Sequence, residues 1–141
     1  YMITTNVGAG NFYVKTQDPF GEWSDPIRVP EVGGIDPSIF FDEDGKAYVV
    51  NNDEAPDFKA EYDGHRTIRV QEFDWKNDKM VGPRKIIVNK GVHPEEKPIW
   101  IEGPHTYKIN GKYYLMDAEG GTSVNHSEEI LRSASPFSFS I

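Results

Sequence analysis

The chain has 141 residues and a net charge of −8, from 15 Lys and Arg against 23 Asp and Glu. A surface so acidic repels phosphate backbones, so no nucleic-acid partner is expected, and no run approaches the ~18 consecutive apolar residues of a membrane-spanning helix, so no membrane partner is expected either. The absence of Cys excludes disulfides, thiolate metal ligands and a Cys nucleophile, and leaves the compartment open.

Aromatic residues make up 13% of the chain, beside 13 Gly and 10 Pro, a composition of short strands between turns. In chain order, alternating or apolar runs predict strands over residues 1–5, 11–16, 38–41, 47–51, 67–73, 85–88, 105–109, 112–117 and 129–133. Asp42-Glu43-Asp44-Gly45 and Asn110-Gly111 read as hairpin turns, because Gly accepts the positive φ of a tight turn. Residues 52–65, rich in Asp, Glu, Pro and Gly, read as an acidic loop rather than a packed element, with no signal in its His65 or in the later loop residue His93. No helical stripe exceeds about two turns, and the fold class is all-β. The chain starts inside one strand-like run, without an initiator Met, and stops inside another at residues 135–141. The expectation is a fragment truncated at both ends.

Residues 35–50 align without a gap on residues 101–116, an offset of 66. Ile35/Ile101, Asp36/Glu102, Phe41/Tyr107, Gly45-Lys46/Gly111-Lys112 and Tyr48/Tyr114 coincide in type. A second echo relates Asp18-Pro19-Phe20 to Ser135-Pro136-Phe137. Repeated four-strand units of this size are the pattern of β-propeller blades. Two unrelated hairpins of a sandwich are the alternative, but turn chemistry alone does not repeat an acid nine residues before the Gly.

In a propeller, equivalent positions at the start of each innermost strand converge at one mouth of the central channel. Asp36 and Glu102 are such a pair. Like charges in a partly desolvated site raise at least one pKa, and a carboxylic acid so raised suits general-acid work near neutral pH. Each residue alone would read as a turn acid accepting backbone hydrogen bonds; the pair in register points to chemistry.

At these positions the chain resembles glycoside hydrolase family 43. The resemblance rests on Gly34-Ile35-Asp36-Pro37-Ser38-Ile39-Phe40-Phe41 with Asp44-Gly45-Lys46, and on Glu102-Gly103-Pro104-His105 with Gly111-Lys112-Tyr113-Tyr114-Leu115. Ala118-Glu119-Gly120-Gly121-Thr122 with Asn125-His126-Ser127 is similar to its β-xylosidase and α-L-arabinofuranosidase branch, and residues 11–26 are similar to the junction of its first two blades. The resemblance implies about two blades of a five-bladed β-propeller, completed by remaining blades of the same polypeptide. It implies inverting hydrolysis of xylosides or arabinofuranosides, with a xylo-oligosaccharide or arabinoside as the carbohydrate partner and no cofactor. Glu102 is then the general acid, and Asp36 the residue that orients it and tunes its pKa. The family's general base lies in a first-blade Asp-Pro motif upstream of Tyr1, so the fragment alone is expected to be inactive. Inversion separates acid and base by roughly 6.5–9.5 Å to admit water.

The remaining candidates are weaker. Thr122 follows Gly120-Gly121, where bare backbone lets a hydroxyl approach a ligand, and the resemblance places it beside the sugar. His105, next to the Glu102 motif, is a pocket candidate, as is Trp100, whose indole face suits sugar C–H groups; Trp23 and Trp75 read as packing residues. His126 follows a loop within possible reach of the site. No His pair has zinc-ligand spacing, and Asp42–Gly45 is too short for an EF-hand loop, so no metal is expected. Asn125-His126-Ser127 matches a glycosylation sequon, a pattern too short to weigh. Two rival readings share these residues: a non-catalytic carbohydrate-binding β-propeller, and a structural scaffold that the paired acids disfavour.

Overall fold

The computed structural model describes residues 1–139 and contains ten strands in three antiparallel sheets. The first sheet holds β1 (Met2–Asn6), β2 (Gly10–Val14) and β3 (Ile27–Arg28). The second holds β4 (Ile35–Phe41), β5 (Ala47–Glu54), β6 (Arg66–Asp74) and β7 (Lys79–Asn89) in that spatial order. The third orders β8 (Glu102–Ile109), β9 (Lys112–Glu119) and β10 (Ser127–Ser133) outward from β8. One four-stranded sheet is therefore complete, flanked by two of three strands.

Alternation builds these sheets. In β5, Ala47 and Val49 face the first sheet while Tyr48 and Val50 face the third, so every residue from 47 to 52 is buried. One core, Tyr13, Val29, Val32, Ala47, Val49 and Phe73, joins sheets one and two. The other, centred on Tyr48, Val50, Ile68, Ile101 and Leu115, joins sheets two and three. The hairpin turns form where Gly and Asn predict them, with Asn110 and Gly111 both at positive φ and Gly45 closing onto the Asp42 carbonyl at 3.1 Å.

β4 and β8 each begin three residues before their predicted runs, taking Asp36 and Glu102 into the strands across a register shift, and two further regions depart from expectation. β7 begins at Lys79 rather than 85, because Gly82-Pro83 makes a bulge instead of a break: register slips between Val70 and Glu72, and Gln71 Nε2 fills the gap by donating to the Gly82 carbonyl at 2.9 Å. The acidic loop is more packed than its composition implies. Glu54 still belongs to β5, residues 56–58 form a 3-10 turn, and His65 is 2% exposed, stacked on Tyr62 and 2.7 Å from Asn89 Oδ1. Its polar groups satisfy each other, a pairing that hydropathy does not register. In the final run, Phe137 packs edge-on against Tyr48 at 5.2 Å; residues 140 and 141 lie outside the described residues.

The innermost strands β4 and β8 run side by side. Ser38 Oγ donates to the Pro104 carbonyl at 2.6 Å, and Lys108 Nζ to Asp42 Oδ1 at 2.6 Å. Both pairs are 66 residues apart, so the sequence repeat is also a spatial register. Burial opposes the charge of Asp42, but hydrogen bonds from Lys108 and Tyr113 outweigh it and hold the carboxyl below its usual range. Because the ladders are antiparallel, the end where β4 and β8 begin also collects the loops after β5, β7 and β9.

Between sheets two and three, Asp117 is 2% exposed and neither carboxyl oxygen has a protein partner among the described residues. Burial, then the neighbouring Glu129 and Glu119, pushes its pKa up to about 8 from an ordinary 3.8. The native state therefore keeps a proton that the unfolded chain releases near pH 4. That difference favours the native state fully below about pH 4 and is lost progressively by about pH 8. In the complete protein, Tm is expected to fall from pH 5 to pH 8 more steeply in wild type than in Asp117→Asn, which replaces the titrating acid by a neutral isostere; parallel melting curves across that range check it.

Candidate active site

Asp36 is the second residue of β4, and the chain reaches it through a constrained turn. Gly34 has φ +65°, and a Cβ there would fall 1.9 Å from the Asn52 carbonyl oxygen, so only glycine fits. Asp36 itself has φ 53°, a left-handed conformation that Asp tolerates better than most residues. Its backbone N–H donates to Thr5 Oγ1 at 3.1 Å, and its Oδ2 accepts from Asn52 Nδ2 at 3.2 Å. β1 thus holds the Asp36 backbone, and β5 orients one of its carboxyl oxygens.

Glu102 opens β8 opposite Ala118, with a register slip between Glu102 and His105 where Gly103 takes φ 62°. The residue is half-buried. Burial first, and then the charge of Asp36, raise its pKa above the ordinary carboxylate value, while Arg66 pulls the other way. Asp36 and Glu102 stand two positions above the Ser38–Pro104 contact, on adjacent strands at one end of the fold. The acid pair that the repeat predicts is brought together.

Around the pair the structure adds groups that sequence reasoning misses. Arg66, the first residue of β6, is ion-paired with Glu54 and places its guanidinium 4.6 Å from the Trp100 ring centroid. Trp100 has φ 56° and donates its backbone N–H to the Gly64 carbonyl at 2.8 Å. Its ring abuts the bare backbones of Gly64 and Gly121 and remains 37% exposed. Thr122 is exposed on the loop after β9, next to Gly121 and so at the Trp100 side of the site. His105 lies elsewhere. On a strand of period two it faces away from β4, where with Tyr107, Met116, His126 and Glu128 it lines a cleft of about 510 Å³ that includes neither acid. Trp75 is a packing residue, edge-on to Phe41 at 6.1 Å, with Nε1 donating to the Gly45 carbonyl. Trp23 is half-exposed on the segment after β2. Asn52 is within reach of the sequence: counting back from the Asp42–Gly45 hairpin sets it opposite Asp36, and a register shift between Ile35 and Ser38 moves its pairing to Ile35. Arg66 has no such signal, because its role depends on a neighbouring blade.

A half-buried carboxyl whose pKa is raised, beside a second oriented carboxyl, is suited to giving a proton to a bound oxygen. Among the described residues, no group of three or more His, Asp or Glu has the geometry of a metal site.

The profile of the Glycosyl hydrolases family 43 matches residues 1–138. A Butyrivibrio fibrisolvens xylosidase/arabinosidase is 48% identical over 140 residues, covering 97% of this chain and 26% of that protein. A crystal structure of a GH43_12 from a capybara gut metagenome superposes with TM-score 0.89 at 52% identity, over 96% of this chain and 26% of that one. The Bacillus halodurans xylan β-1,4-xylosidase structure gives TM-score 0.75 at 38% identity, covering 89% and 23%. The chain thus spans about a quarter of the length of these relatives, and its three sheets are part of a five-bladed β-propeller. By profile, sequence and fold, the chain belongs to glycosyl hydrolases family 43.

Proposed function

We propose that this chain is a section of the catalytic β-propeller of an inverting glycoside hydrolase that removes xylosyl or arabinofuranosyl groups from plant hemicellulose. Its carbohydrate partner is a xylo-oligosaccharide or arabinoside. The propeller is completed by further blades of the same polypeptide. The reading is supported by the likeness to proteins named xylosidase/arabinosidase and xylan β-1,4-xylosidase. Its principal support is one observation: Glu102 is half-buried beside Asp36 at the shared end of β4 and β8, with its pKa raised by burial and by that neighbour.

Glu102 holds the proton and gives it to the glycosidic oxygen as the C–O bond breaks. A water on the opposite face of the sugar attacks the anomeric carbon and loses its proton to a base supplied by another blade. Burial and Asp36 together raise the Glu102 pKa and so favour its proton-bearing form, and Asn52 and Thr5 fix Asp36. Trp100 and Thr122 border the sugar, and His105 lines the neighbouring cleft.

The test is turnover by the complete protein on xylobiose, arabinofuranosyl-substituted xylo-oligosaccharides and their aryl glycosides. The expected result is hydrolysis of at least one class with inverted anomeric configuration, read by proton NMR of the fresh product. Saturable sugar binding with no hydrolysis of any substrate would replace this reading with a carbohydrate-binding propeller.

A further inference from the structure

The loop that delivers Asp36 is held from an unexpected distance. Arg84 lies on β7, the strand of the second sheet farthest from β4. The bulge at Gly82-Pro83 redirects its side chain, the use to which bulges near active sites are put. The guanidinium reaches back over the sheet: Nη1 donates to Asp53 Oδ2 at 2.5 Å, and Nη2 donates to Asn51 Oδ1 at 2.7 Å and to the Gly33 carbonyl at 3.2 Å. Its side chain is only 17% exposed and that of Asp53 13%. Arg69 Nε approaches the same Asp53 oxygen at 3.4 Å.

The Gly33 carbonyl is the focus of this arrangement. Besides Arg84 it receives Asn51 Nδ2 at 2.6 Å and Asn11 Nδ2 at 3.3 Å, so three donors from β2, β5 and β7 converge on one oxygen. Asn11 also holds the carbonyls of Val32 and Gly34. Three residues later comes Asp36, reached through Gly34 in contact with Asn52 and through Ile35 paired to Asn52. An ion pair that served only to tie β7 to β5 would end at Asp53. Here the second arm of the guanidinium fork is shared between Asn51 and the loop carbonyl of Gly33, a forked geometry that Lys does not reproduce.

We infer that Arg84 is a positioning residue for the acid pair: with Asn51 it clamps the Gly33 carbonyl and thereby fixes where Asp36 stands relative to Glu102. This rests on the reading of Asp36 and Glu102 as the acid half of a glycosidase site. Loosening the clamp lets Asp36 drift from Glu102, so Glu102 releases its proton at lower pH while substrate contacts stay in place.

The experiment uses the complete protein with Arg84→Gln and Arg84→Lys, each in the wild-type and the Asp36→Asn background. Two quantities are read: the pH dependence of kcat on xylobiose or its arabinofuranosyl counterpart, and the titration of the Glu102 carboxyl by carbon-13 NMR, which needs no turnover. Arg84→Gln is expected to lower kcat about tenfold, as small displacements of positioned groups do, with KM little changed. The Glu102 titration and the alkaline limb of kcat move to lower pH. Arg84→Lys, which keeps a cation at Asp53 but lacks the fork, shows the same shift in smaller measure. In the Asp36→Asn background neither substitution moves the Glu102 titration further. An unmoved Glu102 titration, or an equal shift with and without Asp36, overturns the inference. So does failure of both variants to fold, which would make the clamp purely structural. If the titrations behave as expected but wild type turns over no glycoside, the clamp stands and the glycosidase reading falls.

Discussion

Glu102→Gln in the complete protein is expected to lower kcat on natural oligosaccharides by ~10²–10⁴-fold, the range for loss of a general acid. The amide keeps the shape and hydrogen-bonding length of the side chain, so KM should change little and folding should be unaffected at this half-buried position. What disappears is the proton. Wild-type activity requires Glu102 protonated, and burial and Asp36 raise its pKa. Activity should therefore persist toward neutral pH and decline on the alkaline side as the carboxyl ionises. The variant has nothing to ionise there, so its residual rate should lose that alkaline limb. Profiles of kcat against pH for both proteins read the two effects together.

Asp36→Asn is expected to cost about 10–100-fold in kcat, less than the acid itself, because it acts through the other group's pKa and orientation. Asn tolerates the left-handed φ of 53° as Asp does and can still accept from Asn52 Nδ2 through its amide oxygen. The fold should therefore hold, with Tm close to that of wild type. The lost negative charge is one of the two influences that raise the Glu102 pKa. The alkaline limb should accordingly move to lower pH, and part of the lost activity should return when the assay is made more acidic. A loss of the same factor at every pH would mean that Asp36 acts on Glu102 only through shape.

The acid pair was legible in the sequence because the 66-residue offset is also a contact distance in space. Ser38 meets Pro104 and Asp42 meets Lys108 across the seam, so residues matched by self-comparison are neighbours. The apolar runs gave nine of the ten strands, since buried β5 and β6 have the continuous or alternating patterns that strands require. β3 is only two residues long and has no period to detect. β7 was half hidden by Gly82-Pro83, which ends most elements but here makes a bulge. Buried His65 and the Asp117 seam escaped for another reason: polar residues inside a core look like surface until their neighbours are known. Arg66 and Arg84 act across strands or blades far apart in the chain, information that no local pattern holds.

The most direct measurement of the central claim, that Glu102 is the proton donor of a glycosidase, is the leaving-group dependence of its loss. The rates of wild-type and Glu102→Gln complete protein are compared over a series of aryl xylosides or arabinofuranosides whose phenols range from weakly to strongly acidic. A weakly acidic phenol, like a sugar alkoxide, needs a proton to depart, and a strongly acidic one does not. Wild type is expected to give a nearly flat series and the variant a steep one, with the two converging at the best leaving groups. Parallel series, with Glu102→Gln slower by one constant factor throughout, would contradict the assignment.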